Sequence, residues 1–247
     1  MSKTNETGHS KNVANFQDLV NFVNSYAERY NPSRDAIKLA GLKKLLANAK
    51  AVIADYNNAL SPYKIAAAER ETAFEPLSKL TTRLLNSLKS TETTVQMDET
   101  AKSLARKIKG ERASALKPTN ATQQVQSTDN ETKQISSAQT SYDNRLDNFS
   151  KLMLHLDNIP QFKPNEPELK IEAIKAVYNN MSDKNDQAKL AAVALSNARI
   201  ARDKVLYEPI TGLSDIAFDV KIYIKSAFGA ISPEYKQVGG IEFKTVK

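Results

Sequence analysis

The sequence predicts an all-α protein: an elongated antiparallel helical bundle built from two tandem pseudo-repeats, with a short extended C-terminal tail. Three observations carry that expectation. Apolar residues recur at three- and four-residue steps through most of the 247-residue chain, which places them on one face of a helix. Glycine and proline are scarce, seven and nine residues, and most prolines fall between periodic segments. The chain also repeats itself. Asn15-Phe16 with Leu19 recurs as Asn148-Phe149 with Leu152, an offset of 133 (148 − 15). Tyr30-Asn31-Pro32 recurs as Phe162-Lys163-Pro164, an offset of 132 (164 − 32). Phe74-Glu75-Pro76-Leu77 recurs as Tyr207-Glu208-Pro209-Ile210, an offset of 133 (208 − 75). A nearly constant offset over three landmarks points to duplication of a supersecondary unit.

Taken in order, residues 1–12 are polar and read as a disordered leader. Repeat 1 covers 13–113. Val13, Phe16, Leu19, Val20 and Val23 put a short helix over 13–29, broken at Asn31-Pro32 because a proline disfavours helix in the residue before it. Ser33 can cap the next helix, whose apolar residues run from Ile37 through Leu42, Leu45, Ala49, Ile53 and Tyr56 to Leu60. Ser61-Pro62 fits either a turn or a kink. The second repeat has no turn chemistry at the matching Val193-Ala194, which favours one kinked helix continuing to about Phe74. Glu75-Pro76 turns the chain, and Leu77, Leu80, Leu84, Leu85 and Leu88 mark a third helix. Met97–Ala113 is a further, peripheral helix with a thin apolar face. Residues 114–136 are rich in Ser, Thr, Asn and Gln, bury too little to offset ordering entropy, and read as a flexible linker.

Repeat 2 covers 137–230. Tyr142, Leu146, Phe149, Leu152 and Leu156 form its short helix. Pro160, Pro164 and Pro167 punctuate the crossing, and Pro167 suits a first helical turn. A long helix follows from Leu169 through Ile174, Val177 and Met181, continuing across Ser182–Asp186. Between Ala188 and Arg202 its seam is mostly alanine, which implies close approach of a neighbour. A turn at Tyr207–Gly212 leads to a last helix ending at Gly229. Each long helix of roughly 40 residues would span about 60 Å, so short and medium helices could each cover about half of it. The tail, 231–247, offers Ile241, Phe243 and Thr245 in alternation, like a short strand with no partner strand in the chain; a tail lying in a groove of the bundle is the favoured reading, and a strand offered to a partner sheet the alternative.

Composition excludes several kinds of chemistry. Cysteine is absent, which removes disulfides, thiol catalysis and thiolate metal sites. No apolar run suits a signal peptide or a membrane span, so the cytoplasm is the expected compartment. His9 and His155 lack partners at ligand spacing, and there is no Gly-rich phosphate loop or nucleophile elbow. Glu168 and Glu172 share a helical face, which a solvated surface near a positive helix N-terminus explains. No cofactor, metal or catalytic residue is expected.

The formal charge is +7, and its excess lies in the first repeat. Residues 31–90 hold ten basic and five acidic side chains, whereas 166–230 hold nine of each. Lys38, Lys43, Lys44 and Lys50 are therefore the candidate contacts to an anion or nucleic acid, although their wide spacing and lack of interleaved aromatics suit a solvated face better. Arg199 and Arg202 lie on the alanine seam and, with Ile241 and Phe243, are candidate interface residues. The expected function is a non-enzymatic structural or protein-interaction module that self-associates or meets another protein. Nucleic-acid binding through the basic face of repeat 1 is the alternative.

Overall fold

The structure, a computed structural model, describes residues 6–111 and 140–244. The linker expected at 114–136 lies outside the described residues. Those residues form helices that pack on one another, without a strand: α1 (Glu6–Ser25), α2 (Leu39–Phe74), α3 (Leu77–Lys89), α4 (Val95–Lys109), α5 (Tyr142–Asp157), α6 (Ile171–Tyr207), α7 (Leu213–Phe228) and α8 (Pro233–Gly239). Short 3-10 turns at Asp35–Ile37 and Pro167–Leu169 precede the two long helices. Pro62 lies inside α2, which continues through it, and α6 runs unbroken across Ser182–Asp186.

The chain divides into two compact units that interleave the sequence halves. The first is Met1–Lys64 with Leu190–Lys247, and the second is Ile65–Lys189. In the first unit, Phe16, Leu19 and Val23 of α1 share a core with Leu42 and Ala49 of α2, Leu206 of α6 and Ile216, Val220 and Ile224 of α7. In the second unit, Phe74, Leu84 and Leu88 share a core with Ala101 and Ile108 of α4, Phe149 and Leu152 of α5, and Ile174 and Met181 of α6. Burial repeats in register along the sequence. Phe16, Leu19 and Val23 are buried, and so are Phe149, Leu152 and Leu156, each 133 residues on (149 − 16). Leu42 and Ala49 match buried Ile174 and Met181 at 132 (174 − 42).

Several sequence expectations need correction. Helix α1 begins at Glu6, inside the stretch 1–12 read as a disordered leader. His9 and Asn12 are buried there; as polar side chains with distant partners they give no apolar signal. Ser33 does not cap α2. The 3-10 turn intervenes and folds so tightly onto the first turn of α2 that a Cβ on Gly41 would stand 2.5 Å from the Asp35 carbonyl oxygen. Helix α4 is not peripheral. It packs against α3 and α5 through Ala101, Ala105 and Ile108, and small alanines let the helices approach without a bulky apolar stripe. Thr94 caps its start by accepting from the Met97 N–H, and Gly110, at φ 72°, closes it in the left-handed region.

The third landmark also shifts. Leu77 of α3 corresponds in burial to Leu213 of α7, not to Ile210, and Leu84 and Leu88 correspond to Val220 and Ile224, all at 136 (213 − 77). The three additional residues (136 − 133) fall in a strained turn. Ile210 takes φ 69°, costly for a β-branched residue, and its N–H donates to Asp215 Oδ2 at 2.8 Å. The Gly212 N–H donates to the Glu208 carbonyl at 2.7 Å, so close that a Cβ at Gly212 would stand 2.6 Å from that residue's backbone. Finally, 231–247 is not wholly extended. Ser232 accepts from the Tyr235 N–H at 3.1 Å and caps α8, with Pro233 in its first turn. Residues 241–244 follow without regular structure.

Candidate functional site

The four candidate lysines do not converge. Lys38 pairs with Asp35 at 2.7 Å, and Lys43 Nζ donates to Asn24 Oδ1 at 3.1 Å. Lys44 and Lys50 are exposed. On α2, Lys43 and Lys50 share a face, while Lys44 is turned away by about 100°. Arg199 and Arg202 part company. Arg199 is exposed, one position off the buried face, whereas Arg202 is buried on the line set by Ala188 and Leu195. The Arg202 Nε and Nη2 both donate to Asp203 Oδ1 at 2.9 Å. Its guanidinium lies 4.8 Å from the Tyr56 ring centroid, and that of Arg199 lies 6.0 Å from the same ring. Glu168 pairs with Arg83 at 2.9 Å on the surface, and His155 Nε2 lies 2.9 Å from the Met97 carbonyl.

Arg202 lies beside a polar cluster of the first unit, and the second unit has a cluster of aromatic and arginine side chains at matching sequence positions. In the first unit, His9 Nδ1 lies 2.7 Å from the Tyr207 hydroxyl, to which Asn12 Nδ2 also donates at 3.2 Å. His9, Tyr56 and Arg202 line a cavity of about 350 Å³. In the second unit, Tyr142 meets Phe74 edge-on with centroids 4.8 Å apart. The Arg70 guanidinium covers Tyr142 at 4.1 Å and that of Arg145 covers Phe74 at 5.4 Å. The positions correspond: His9 with Tyr142, Asn12 with Arg145 and Tyr207 with Phe74 at 133 (142 − 9), and Arg202 with Arg70 at 132 (202 − 70). The first cluster ties the start of α1 to the end of α6 by hydrogen bonds and by a tilted His9–Tyr207 ring contact at 5.5 Å, and the second joins its helices by ring and cation–π contacts.

The outward face of α6 is a different surface. Leu190, Val193 and Ile200 are 72%, 59% and 64% exposed, and Asn197, between the last two, is exposed as well. Their spacing of three, four and three residues is the a/d pattern of a helix that meets another helix. The inward face of the same stretch carries Leu195, Arg202 and Leu206. Helix α6 thus holds apolar residues on both sides, so its sequence has no clean amphipathic period. Phe218 and Ile222 on α7 are exposed too. In the tail, Ile241 and Phe243 lie against the core of the first unit, with Phe243 edge-on to Phe16 at 6.5 Å.

Sequence reasoning missed His9, Asn12 and Tyr207 as a cluster, because nothing local links residues almost two hundred positions apart. It also missed the Leu190–Ile200 stripe, whose a/d spacing is masked by the alanines around it, Ala194 and Ala201 being exposed on the same side. Among the described residues, no helix is long and apolar enough to cross a membrane, and no group of three His, Asp or Glu side chains could hold a metal ion. The chain matches no known protein family, curated protein or solved structure.

Proposed function

We propose that this is a non-enzymatic structural or protein-interaction module of the cytoplasm, formed by tandem duplication, that self-associates through the outward face of α6. The observation that carries the proposal is the exposed stripe of Leu190, Val193 and Ile200. Isolated exposed apolar residues are ordinary, whereas aligned ones are characteristic of a contact surface. Three such side chains at a/d spacing can enter a facing helix as knobs, each gaining about 1–2 kcal/mol on burial of its exposed part. Asn197 within the stripe gives a polar position of the kind that fixes register at some cost in stability. The duplication is supported by the recurring burial register and by the clusters at matching positions, His9–Tyr207 and Tyr142–Phe74.

Sedimentation equilibrium of the full-length protein tests the proposal. Apparent mass should rise with concentration for the wild type, and Val193→Glu should hold the protein at monomer mass, because the carboxylate cannot be desolvated in the seam. A wild type that stays monomeric at high concentration, or a Val193→Glu protein that associates equally well, would overturn it.

A further inference from the structure

The groove between α1 and α7 in the first unit holds residues 239–244 almost entirely by their main chain. On one side, Asn12 Nδ2 donates to the Lys244 carbonyl at 2.7 Å, and the Lys244 N–H donates back to Asn12 Oδ1 at 3.0 Å. One asparagine thus reads both polar groups of one residue, as a neighbouring strand would. On the same side, Asn15 Nδ2 donates to the Glu242 carbonyl at 2.7 Å. On the other side, Lys221 Nζ donates to the Gly239 carbonyl at 3.3 Å and to the Ile241 carbonyl. The carbonyls of 239 and 241, at the turn that ends α8, face Lys221 of α7, and those of 242 and 244 face Asn15 and Asn12 of α1.

Side-chain contact comes from Ile241 and Phe243, both of which lie against the core of the first unit. Phe243 stands edge-on to Phe16, and Lys221 lies over its ring at 5.6 Å from the centroid. Burial holds the Lys221 ammonium below the usual lysine range, as expected of a donor committed to this groove.

The joint leading into the groove is Gly239-Gly240, and the folded conformation does not require either glycine. Gly240 takes φ −81°, open to any residue. A Cβ there would meet nothing within 4 Å, and one on Gly239 would meet only Tyr235 at 3.9 Å. What two such glycines provide is freedom to leave this conformation.

We infer that the α1–α7 groove is a peptide-binding surface whose second occupant is the C-terminal segment of another copy of this chain, so that copies join by exchanging tails across the Gly239-Gly240 hinge. The argument for that occupant is its chemistry: the groove already matches this segment bond for bond, and a segment freed by its hinge meets the same partners on a neighbour. This surface is separate from the α6 stripe.

Complementation between two full-length variants tests it, with Val193→Glu in both so that α6 pairing plays no part. Asn12→Ala disables the groove and leaves the tail intact. Phe243→Ala disables the tail anchor and leaves the groove intact. Each alone should sediment as a monomer, and an equimolar mixture should form a heterodimer. In a second measurement, a fluorescent peptide of residues 237–247 should bind Phe243→Ala saturably. It should bind the wild type at least tenfold more weakly, because the resident tail competes at high effective concentration. It should bind the Asn12→Ala/Phe243→Ala double variant not at all. A mixture that sediments as the sum of its parts, whether or not the peptide binds, overturns the exchange and makes the tail an intramolecular strap. Absence of saturable peptide binding overturns the groove itself. Should Phe243→Ala fail to fold, Ile241→Ala, which weakens the tail where it lies against the same core and leaves the groove intact, is used in its place with the same expectations.

Discussion

Pro62 sits in the interior of α2, on its exposed side. A proline there cannot donate to the Asn58 carbonyl four residues earlier, and its ring crowds that carbonyl. In an exposed helix interior this costs about 3 kcal/mol relative to alanine. Proline also restricts the unfolded chain, which returns about 0.4–1 kcal/mol. Pro62→Ala should therefore stabilise the protein by about 2 kcal/mol, or roughly 4–8 °C in melting temperature for a chain of this size. Differential scanning calorimetry, together with urea unfolding followed by far-ultraviolet circular dichroism, reads the change. The gain should appear as a higher urea midpoint at unchanged m-value, since the surface buried in the native state is the same. A loss of stability would mean that Pro62 is needed where it stands, as in the first turn of a separate helix. That result would refute the reading of 39–74 as one continuous element and of Ser61-Pro62 as a tolerated defect.

Two further outcomes follow. Tyr30 is buried, its hydroxyl donates to the Ile37 carbonyl at 2.7 Å, and burial, with Tyr223 nearby, pushes its ionisation well above the usual 10.0. The folded state therefore favours the neutral phenol: its contribution is complete below the unfolded value of 10.0 and is lost progressively above it, so the urea midpoint should fall as the pH rises beyond that value. Tyr30→Phe should cost about 1 kcal/mol at neutral pH and reduce that alkaline loss; an unchanged alkaline slope would show that Tyr30 is not its source. For the basic face, duplex DNA should not be retained at 150 mM salt, because Lys38, Lys43, Lys44 and Lys50 do not form one surface. Binding that weakens steeply with salt and disappears when these four are reversed to glutamate would favour the nucleic-acid reading instead.

Much of the helical architecture was legible because apolar spacing is a local property. Phe16, Leu19 and Val23 announce α1, and Leu77, Leu84 and Leu88 announce α3, without reference to anything distant. What was illegible depended on distant partners or on competing local signals. His9 and Asn12 look like solvent-facing residues until Tyr207 and Lys244 are brought to them. The start of α2 moved because Gly41 and the Asp35–Ile37 turn need each other in space. The Glu-Pro match at 75 and 208 concealed the three-residue shift (136 − 133) that places Leu213 in the core. Helix α8 was within reach, since Ser232-Pro233 is a cap followed by a first-turn proline, but the alternation of Ile241, Phe243 and Thr245 drew attention to an extended reading of the tail. Of the proposed sites, Arg202 was correctly placed on the inner seam and Arg199 was not, whereas the Leu190–Ile200 stripe was lost among alanines such as Ala194 and Ala201, which are exposed beside it.

The association proposed for α6 has one direct measurement. The chain has no cysteine, so a single nitroxide attached at Val193→Cys reports from that position alone. Pulsed electron–electron resonance should show dipolar coupling between copies that disappears on dilution with unlabelled protein. The coupling should also be lost when Leu190→Glu is added. A label at Val95→Cys, on an exposed position of α4, should show no such short-range coupling. Equal coupling from both labels, or none from Val193→Cys at concentrations well above the micromolar range, would contradict self-association through the outward face of α6.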